Sequence, residues 1–328
     1  MDSCKVNVVG WYDNRNCGDE SYKKAFPKVF PEHNFIFTSK PVENADSYII
    51  GGGDVLTTSL LELFSKINKP KHIMSVTVSK IFDKNLFDNY KTIIVRDLNS
   101  KKNLDEIGVE SFICPDFSFS LDYNKNNGQN IINKLFEKEG RNLYEKRIAV
   151  IVNAHLIPPH GSTAYEQQRF ERFAFDLSIA IDETPASFIF IPFGTKQPWD
   201  DRISNGIVSQ RCKWWKKNVI IFDELNVQDT IDIISSCDAV VSSRLHSSIF
   251  STITGTPFVD ITHNHKNKNF LETIGYEKVS IGFGDFNKTK TVLMLKDLIT
   301  NKSILEEIQN ISLINKLSLK ELSKNIII

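Results

Sequence analysis

The feature that most constrains this chain is a recurring unit. A short run of β-branched and aromatic residues stops at a glycine, proline or aspartate, and a helical stretch follows. In the first third, Lys5–Tyr12 (KVNVVGWY), Ser47–Ile50 (SYII), Ile73–Val78, Thr92–Val95 and Ser111–Cys114 read as strands. Helices are expected over Glu20–Phe30, interrupted at Pro27, and over Leu56–Ile67. Strands this short and continuously apolar are buried on both faces, which requires helices on both sides of a parallel sheet.

The unit resumes beyond Asn124–Gln129 (NKNNGQ), a polar, glycine-bearing stretch that reads as a linker ahead of a helix at Asn130–Lys138. Strands are expected at Arg147–Asn153, Ser187–Phe193, Val219–Asp223, Ala239–Ser242 and Phe258–Thr262. Helices are expected at Thr163–Asp182, at Val227–Ser236, from Leu245, at Thr291–Thr300 and at Ile304–Leu322. In the longest, Phe170, Phe173, Leu177, Ala180 and Ile181 share one face at helical spacing. Ile326–Ile328 is expected to pack down as an apolar tail. At roughly 150 residues per domain, 328 residues give two domains. The sequence predicts an α/β protein of two doubly wound, Rossmann-like domains, 1–125 and 126–328 with the C-terminal helices, facing each other across a cleft. Ligands of such sheets bind beyond the carboxyl ends of the strands, so chemistry is sought just after each strand.

Composition narrows the partners. Lys+Arg and Asp+Glu are 40 each, so the net charge is zero and does not favour nucleic acid. No apolar run approaches the roughly 18 residues of a membrane span, and the N-terminus shows no signal-peptide pattern. A cytoplasmic protein is expected. Five scattered cysteines, none at metal-ligand spacing, read as reduced thiols.

Six clusters follow strands. N-R-N-C-G-D-E (Asn14–Glu20) offers Gly18 for a tight turn and Asp19 as a helix cap, with amides that suit an anion or a ligand hydroxyl. Gly51–Gly53 with Asp54 lets backbone approach a ligand, or simply turns tightly. Arg96 and Asp97 are expected to pair with each other, and Pro115–Asp116 turns the chain toward the cleft or ends the strand. Ser242–Ser248 (S-S-R-L-H-S-S) is the richest. Arg244 supplies a planar fork for carboxylate or phosphate, His246 a group that titrates near neutrality, and Ser247 and Ser248 the first turn of a helix. That set seats a small doubly anionic group, or else is a buried arginine paired with a carboxylate beside a packed histidine. Last, Gly255–Pro257 leads to T-H-N-H-K-N-K, where Lys266 and Lys268 suit anions; His263 and His265 lack a third metal ligand, so no metal is expected.

Taken in order, N-x-G-D-E, G-G-G, V-R-D-x-x-S-x-x-x-L, P-D-x-x-F and S-R-L-H-S…G-T-P-F-V resemble the polysaccharide pyruvyl transferase family, over Asn16 to about Lys266. The resemblance implies a glycosyltransferase-B-like fold and transfer of a pyruvyl group from phosphoenolpyruvate to sugar hydroxyls as a ketal, with no cofactor. It implies catalysis by His246, Arg244 and Asp19. Arg244, Ser247, Ser248, Lys266 and His155 would face the donor, with His246 as an acid or phosphate stabiliser. Asn16, Gly18, Asp19, Glu20, Gly52, Gly53 and Asp54 would face a glycan or other polymeric hydroxyl acceptor. Two departures stand out. The strand opening the second block runs into Ala154 and His155 where the family commonly carries an arginine, and the first turn reads W-Y-D-N-R-N, bulkier than the usual glycine-rich form.

Two other functions fit the scaffold. One is a glycosyltransferase in which Arg244 and Lys266 hold the diphosphate of a nucleotide sugar and Asp19 or Asp54 activates a glycan or a modified nucleic-acid base. R-C-K-W-W-K-K (Arg211–Lys217), basic residues interleaved with tryptophan, suits a nucleic acid, or is an amphipathic stretch with Trp214 or Trp215 in the core. The other is a binding module without catalysis.

Overall fold

The computed structural model describes residues 4–324, 326 and 328; residues 1–3, 325 and 327, including Ile327 of the expected tail, lie outside it. The first half runs β1 (Lys5–Val9), α1 (Cys17–Val29), β2 (Asn34–Thr38), β3 (Ser47–Gly53), α2 (Thr58–Ser65), β4 (Lys71–Val76), β5 (Thr92–Val95), α3 (Leu98–Glu106), β6 (Phe112–Ile113) and α4 (Lys125–Lys138). The second runs β7 (Arg147–Ile151), α5 (Ala164–Glu183), β8 (Ser187–Phe190), α6 (Asp201–Ser209), β9 (Asn218–Ile220), α7 (Val227–Ser235), β10 (Ala239–Ser242), α8 (Leu245–Thr254), β11 (Phe258–Thr262), α9 (His265–Ile274), β12 (Ser280–Gly282), α10 (Lys288–Thr300) and α11 (Lys302–Ser323).

Two parallel six-stranded sheets result, in the orders β2-β1-β3-β4-β5-β6 and β12-β11-β10-β7-β8-β9. Each order reverses direction beside its first strand, the topology that opens a crevice at the strand carboxyl ends. The two domains share apolar packing along one side. Tyr22 and Phe26 of α1, Phe136 of α4, Ile231 of α7 and Phe250 of α8 belong to one continuous buried cluster. The face of α5 read from sequence is the buried one. No described helix is long and apolar enough to cross a membrane.

Several local expectations give way to tertiary context. Asn124–Gln129 is no linker: Asn124 caps α4, and its helix begins at once. Gly128 lies inside that helix because a Cβ there would fall 1.9 Å from the Asp232 carbonyl oxygen of α7. Helix α1 runs through Pro27, which sits in the last turn; the bond from residue 27 back to the Lys23 carbonyl is lost, but the helix ends two residues later. Neither Trp214 nor Trp215 enters the core; they are 66% and 52% exposed. Lys217 goes inside instead, donating to the carbonyls of Ile181, Asp182 and Thr184 at the end of α5. A cation satisfies those helix-end acceptors where an indole could not.

Candidate functional site

The loop after β1 is fastened to the second domain. Cys17 N–H donates to the Phe193 carbonyl at 2.7 Å and Thr195 N–H to the Arg15 carbonyl at 3.1 Å, while Asn16 forms a β-bridge with Gly194. Asn16, not Asp19, is the N-cap of α1, accepting from Gly18 N–H. The Asp19 side chain is therefore free to face the cleft. Gly18 serves no turn: it lies inside α1, and a Cβ on it would fall 2.3 Å from Nδ1 of His246, on the other domain. Gly52 and Gly53 do adopt left-handed conformations, at φ +75° and +92°. A Cβ on Gly52 would strike the Tyr22 ring at 2.4 Å, and Gly53 lies against Asp19 Oδ1.

Beneath His246 lies a buried polar network. Arg96 Nη1 donates to Asp116 Oδ2 at 2.9 Å and to Tyr22 Oη at 2.8 Å, and its Nε donates to Thr77 Oγ1. The Tyr22 hydroxyl also donates to Asp116. Arg96 thus pairs with Asp116, while Asp97 caps α3 through Ser100 N–H and accepts from Thr77. The expected Arg96–Asp97 pair does not form: the Thr77 hydroxyl stands between them, accepting from Arg96 Nε and donating to Asp97 Oδ2. Burial opposes a charge on Asp116, but Arg96, His246 and Tyr22 outweigh it and hold the carboxyl below its usual range. His246 Nε2 stands 3.9 Å from Asp116 Oδ2 and has no hydrogen-bond partner among the described residues. Burial pushes this imidazole down to about 4, against the pull of Asp116, so it is neutral at pH 7 rather than poised to titrate there. Asp19 moves the other way. Burial pushes it up to about 7, with Arg96, Lys266 and Arg244 pulling back.

The facing wall is built around Arg244, the N-cap residue of α8. Its Nε and Nη2 donate to the two carboxylate oxygens of Asp201 at 3.0 and 2.6 Å. Asp201 is fully buried and also accepts from the N–H groups of Ala154, Phe193 and Gly194. The guanidinium is thus both ion-paired and at the cleft, which combines the two alternatives left open by the sequence. Ser247 and Ser248 do not face the cleft. Both N–H groups donate to the Arg244 carbonyl, and both hydroxyls are buried against Ser242, with Ser248 also bonded to Asp260. The first four N–H groups of a helix begin without a regular intrahelical partner; Ser247 N–H turns back to the Arg244 carbonyl, which leaves those of Leu245 and His246 at the start of α8. Lys266 Nζ lies 3.2 Å from Asp54 Oδ2 and ties the two domains across the mouth. His155 stacks on Trp199 with ring centroids 4.0 Å apart, and burial holds its imidazole below the ordinary value. His263 Nε2 faces the side-chain amides of Asn153 and Asn264, while His265 opens α9 on the exposed side. Among the described residues no group of three or more His, Cys, Asp or Glu is placed to hold a metal.

One cavity of about 510 Å³ gathers these groups. Asn16, Asp19, Gly53 and Asp54 line it from the first domain, and His155, Arg244, His246 and Lys266 from the second. Gly18 and Gly52 sit behind its wall. Glu20 turns away, accepting from Asp13 N–H at 2.6 Å and pairing with Lys23. Trp11, Arg96, Asn153 and His263 also line the cavity; sequence reasoning assigned a donor or acceptor role to none of them, nor to the supporting acids Asp116 and Asp201. Arg96 and Asp116 were visible as strand-end residues, but their pairing was not. Nothing around Asp201 signalled a partnership across 43 residues.

Comparison with known proteins identifies the family and the fold. The sequence profile of a family described as polysaccharide pyruvyl transferase matches residues 8–265. Solved structures share the fold at low identity. Staphylococcus aureus MnaA, solved with UDP, has a TM-score of 0.64 and 11% identity over 99% of this chain and 94% of its own. Anabaena HepE, solved with UDP-glucose, has a TM-score of 0.60 and 9% identity over 98% of both chains. The UDP-GlcNAc 2-epimerase of Neisseria meningitidis, bound to UDP-GlcNAc, has a TM-score of 0.58 and 10% identity over 99% of this chain and 98% of its own. Two facing Rossmann-like domains of this arrangement make the fold glycosyltransferase-B-like.

Proposed function

Because this chain belongs to the polysaccharide pyruvyl transferase family, and is a transferase by that membership, we propose that it moves a pyruvyl group from phosphoenolpyruvate to two hydroxyls of one sugar. The observation that carries this reading is the convergence of Asp19 from one domain with Arg244, His246 and Lys266 from the other on a single cavity.

The donor is a small anion, and the second domain offers it Arg244, Lys266 and the start of α8. Asp201 fixes the guanidinium on two of its nitrogens, leaving the remaining N–H groups for a carboxylate or phosphate. Preformed positive charge of this kind favours the charge that develops on a leaving phosphate. Asp19, pushed up to about 7, is half protonated near neutral pH and suits both directions of proton transfer.

Asp19 gives its proton to the donor's methylene carbon, and the first sugar hydroxyl bonds to the adjacent carbon while its proton returns to Asp19. The carbon–oxygen bond to phosphate then breaks, the second hydroxyl bonds to the same carbon, and its proton leaves with the phosphate. One cyclic ketal and one inorganic phosphate result. Neutral His246 carries a single N–H to offer the phosphate; its buried Nε2 lies 3.9 Å from Asp116. The acceptor lies against the first domain, near Asn16, Gly53 and Asp54.

A nucleotide-sugar donor is the second reading, favoured by the UDP and UDP-sugars in the solved structures of the same fold. One experiment separates them: thermal unfolding of the protein with phosphoenolpyruvate and with a panel of nucleotide sugars, followed by phosphate release with glycan acceptors. Stabilisation by phosphoenolpyruvate and acceptor-dependent phosphate release are expected. Stabilisation by nucleotide sugars alone overturns the pyruvyl reading.

A further inference from the structure

Trp11 is 59% exposed, yet it forms part of the wall of the polar cleft cavity. Its neighbours are pinned. On one side Gly10 packs so tightly that a Cβ would fall 2.6 Å from the Gly51 carbonyl oxygen. On the other, Tyr12 is buried, donates from its hydroxyl to that same oxygen at 2.7 Å and meets Phe37 edge-on. Further along, Asp13 and Arg15 hold left-handed conformations, at φ 61° and 52°, in a loop bonded to the second domain. The indole is therefore presented from a fixed backbone. No ring or cation stacks on it among the described residues. The opposite wall differs, since one face of His155 is already covered by Trp199.

An indole with a free face on a fixed backbone, beside carboxylates and amides, has a clear chemical complement. A pyranose ring carries contiguous C–H groups on one face and hydroxyls around its edge. The face loses water against the indole and makes weak C–H contacts to its π system, while the edge hydroxyls reach polar groups beside it. We propose that Trp11 is the platform on which a pyranose ring of the acceptor lies, with its edge hydroxyls directed toward Asp19. The proposal rests on the acceptor role given above to the first domain. It also gives a use to the bulky W-Y-D-N-R-N turn.

The test compares the wild-type protein with Trp11→Ala and Trp11→Phe. Binding of a panel of hexopyranosyl oligosaccharides is measured by calorimetry and by saturation-transfer NMR, and phosphoenolpyruvate binding is measured separately. Loss of an aromatic contact worth ~1.4 kcal/mol is a tenfold change. Trp11→Ala is expected to weaken the oligosaccharide that wild type binds by about tenfold, with Trp11→Phe recovering part of the loss and phosphoenolpyruvate affinity unchanged within about twofold. Oligosaccharide affinity in Trp11→Ala within twofold of wild type overturns the platform, as does a wild-type protein that binds none of the panel. A wild type that binds oligosaccharide through Trp11 but not phosphoenolpyruvate overturns the donor reading alone.

Discussion

Gly18 and His246 come from different domains, yet the imidazole lies where a side chain on residue 18 would begin, 2.3 Å from an ideal Cβ. The glycine is what allows α1 and α8 to meet across the cleft. Gly18→Ala must push His246 away from Asp116 or part the domains, and overpacking of this kind costs about 1–3 kcal/mol. The variant is expected to unfold at lower temperature and to lose most of its turnover. Turnover close to wild type would remove His246 from the reaction.

Asp19 should leave a signature in stability as well as in rate. Its folded-state value of about 7 lies above the ordinary carboxyl value, so the folded protein disfavours the charge, and stability is lost as pH rises from about 4 toward 7. Asp19→Asn carries no such charge. The variant should match wild type in unfolding free energy below pH 4 and exceed it at pH 8, while losing transferase activity. Equal stability of the two proteins at pH 8 contradicts the assignment.

The Arg244–Asp201 pair is almost wholly out of water, and breaking such a pair from one side costs about 3–5 kcal/mol. Asp201→Asn should be strongly destabilised and bind donor poorly, because the fork loses its fixed orientation. Arg244→Lys keeps the charge but not the two-nitrogen grip, and should also bind donor at least tenfold more weakly. Calorimetry with phosphoenolpyruvate reads both.

Lys266 and Asp54 form a partly exposed pair across the mouth, 3.2 Å apart. Such pairs contribute about 0–1 kcal/mol to stability. Asp54→Asn should therefore leave the unfolding temperature nearly unchanged. It frees Lys266 for an anionic donor, so phosphoenolpyruvate affinity should rise by about twofold to fivefold at low salt, with the gain shrinking as salt increases. A fall in donor affinity would show that Asp54 itself supports the donor.

The alternation of strand and helix was readable because the central strands are buried on both faces, and burial on both faces writes a continuous apolar run. Strands β1 and β10 and the buried stripe of α5 were legible for that reason. Other elements were not: α3, α6, α9 and β12 carry too few apolar residues to announce themselves, and β2 (NFIFT) is a short edge strand that is only partly buried. The polar stretch at Asn124 looked like a linker because a cap, a glycine and an amide-rich first turn have the composition of one. Only α7 lying against Gly128 explains that glycine.

The sequence by itself determined the two-domain α/β architecture and the residue types that gather after the strands, because hydrophobic periodicity and strand-end chemistry are local. The tertiary structure alone decided which acids hold which arginines, Asp116 for Arg96 and Asp201 for Arg244. It also decided that Ser247, Ser248 and Glu20 turn away from the cleft while Trp11 enters it. Pairing and burial depend on which elements the fold brings within a few ångströms, and residues far apart along the chain carry no local mark of that.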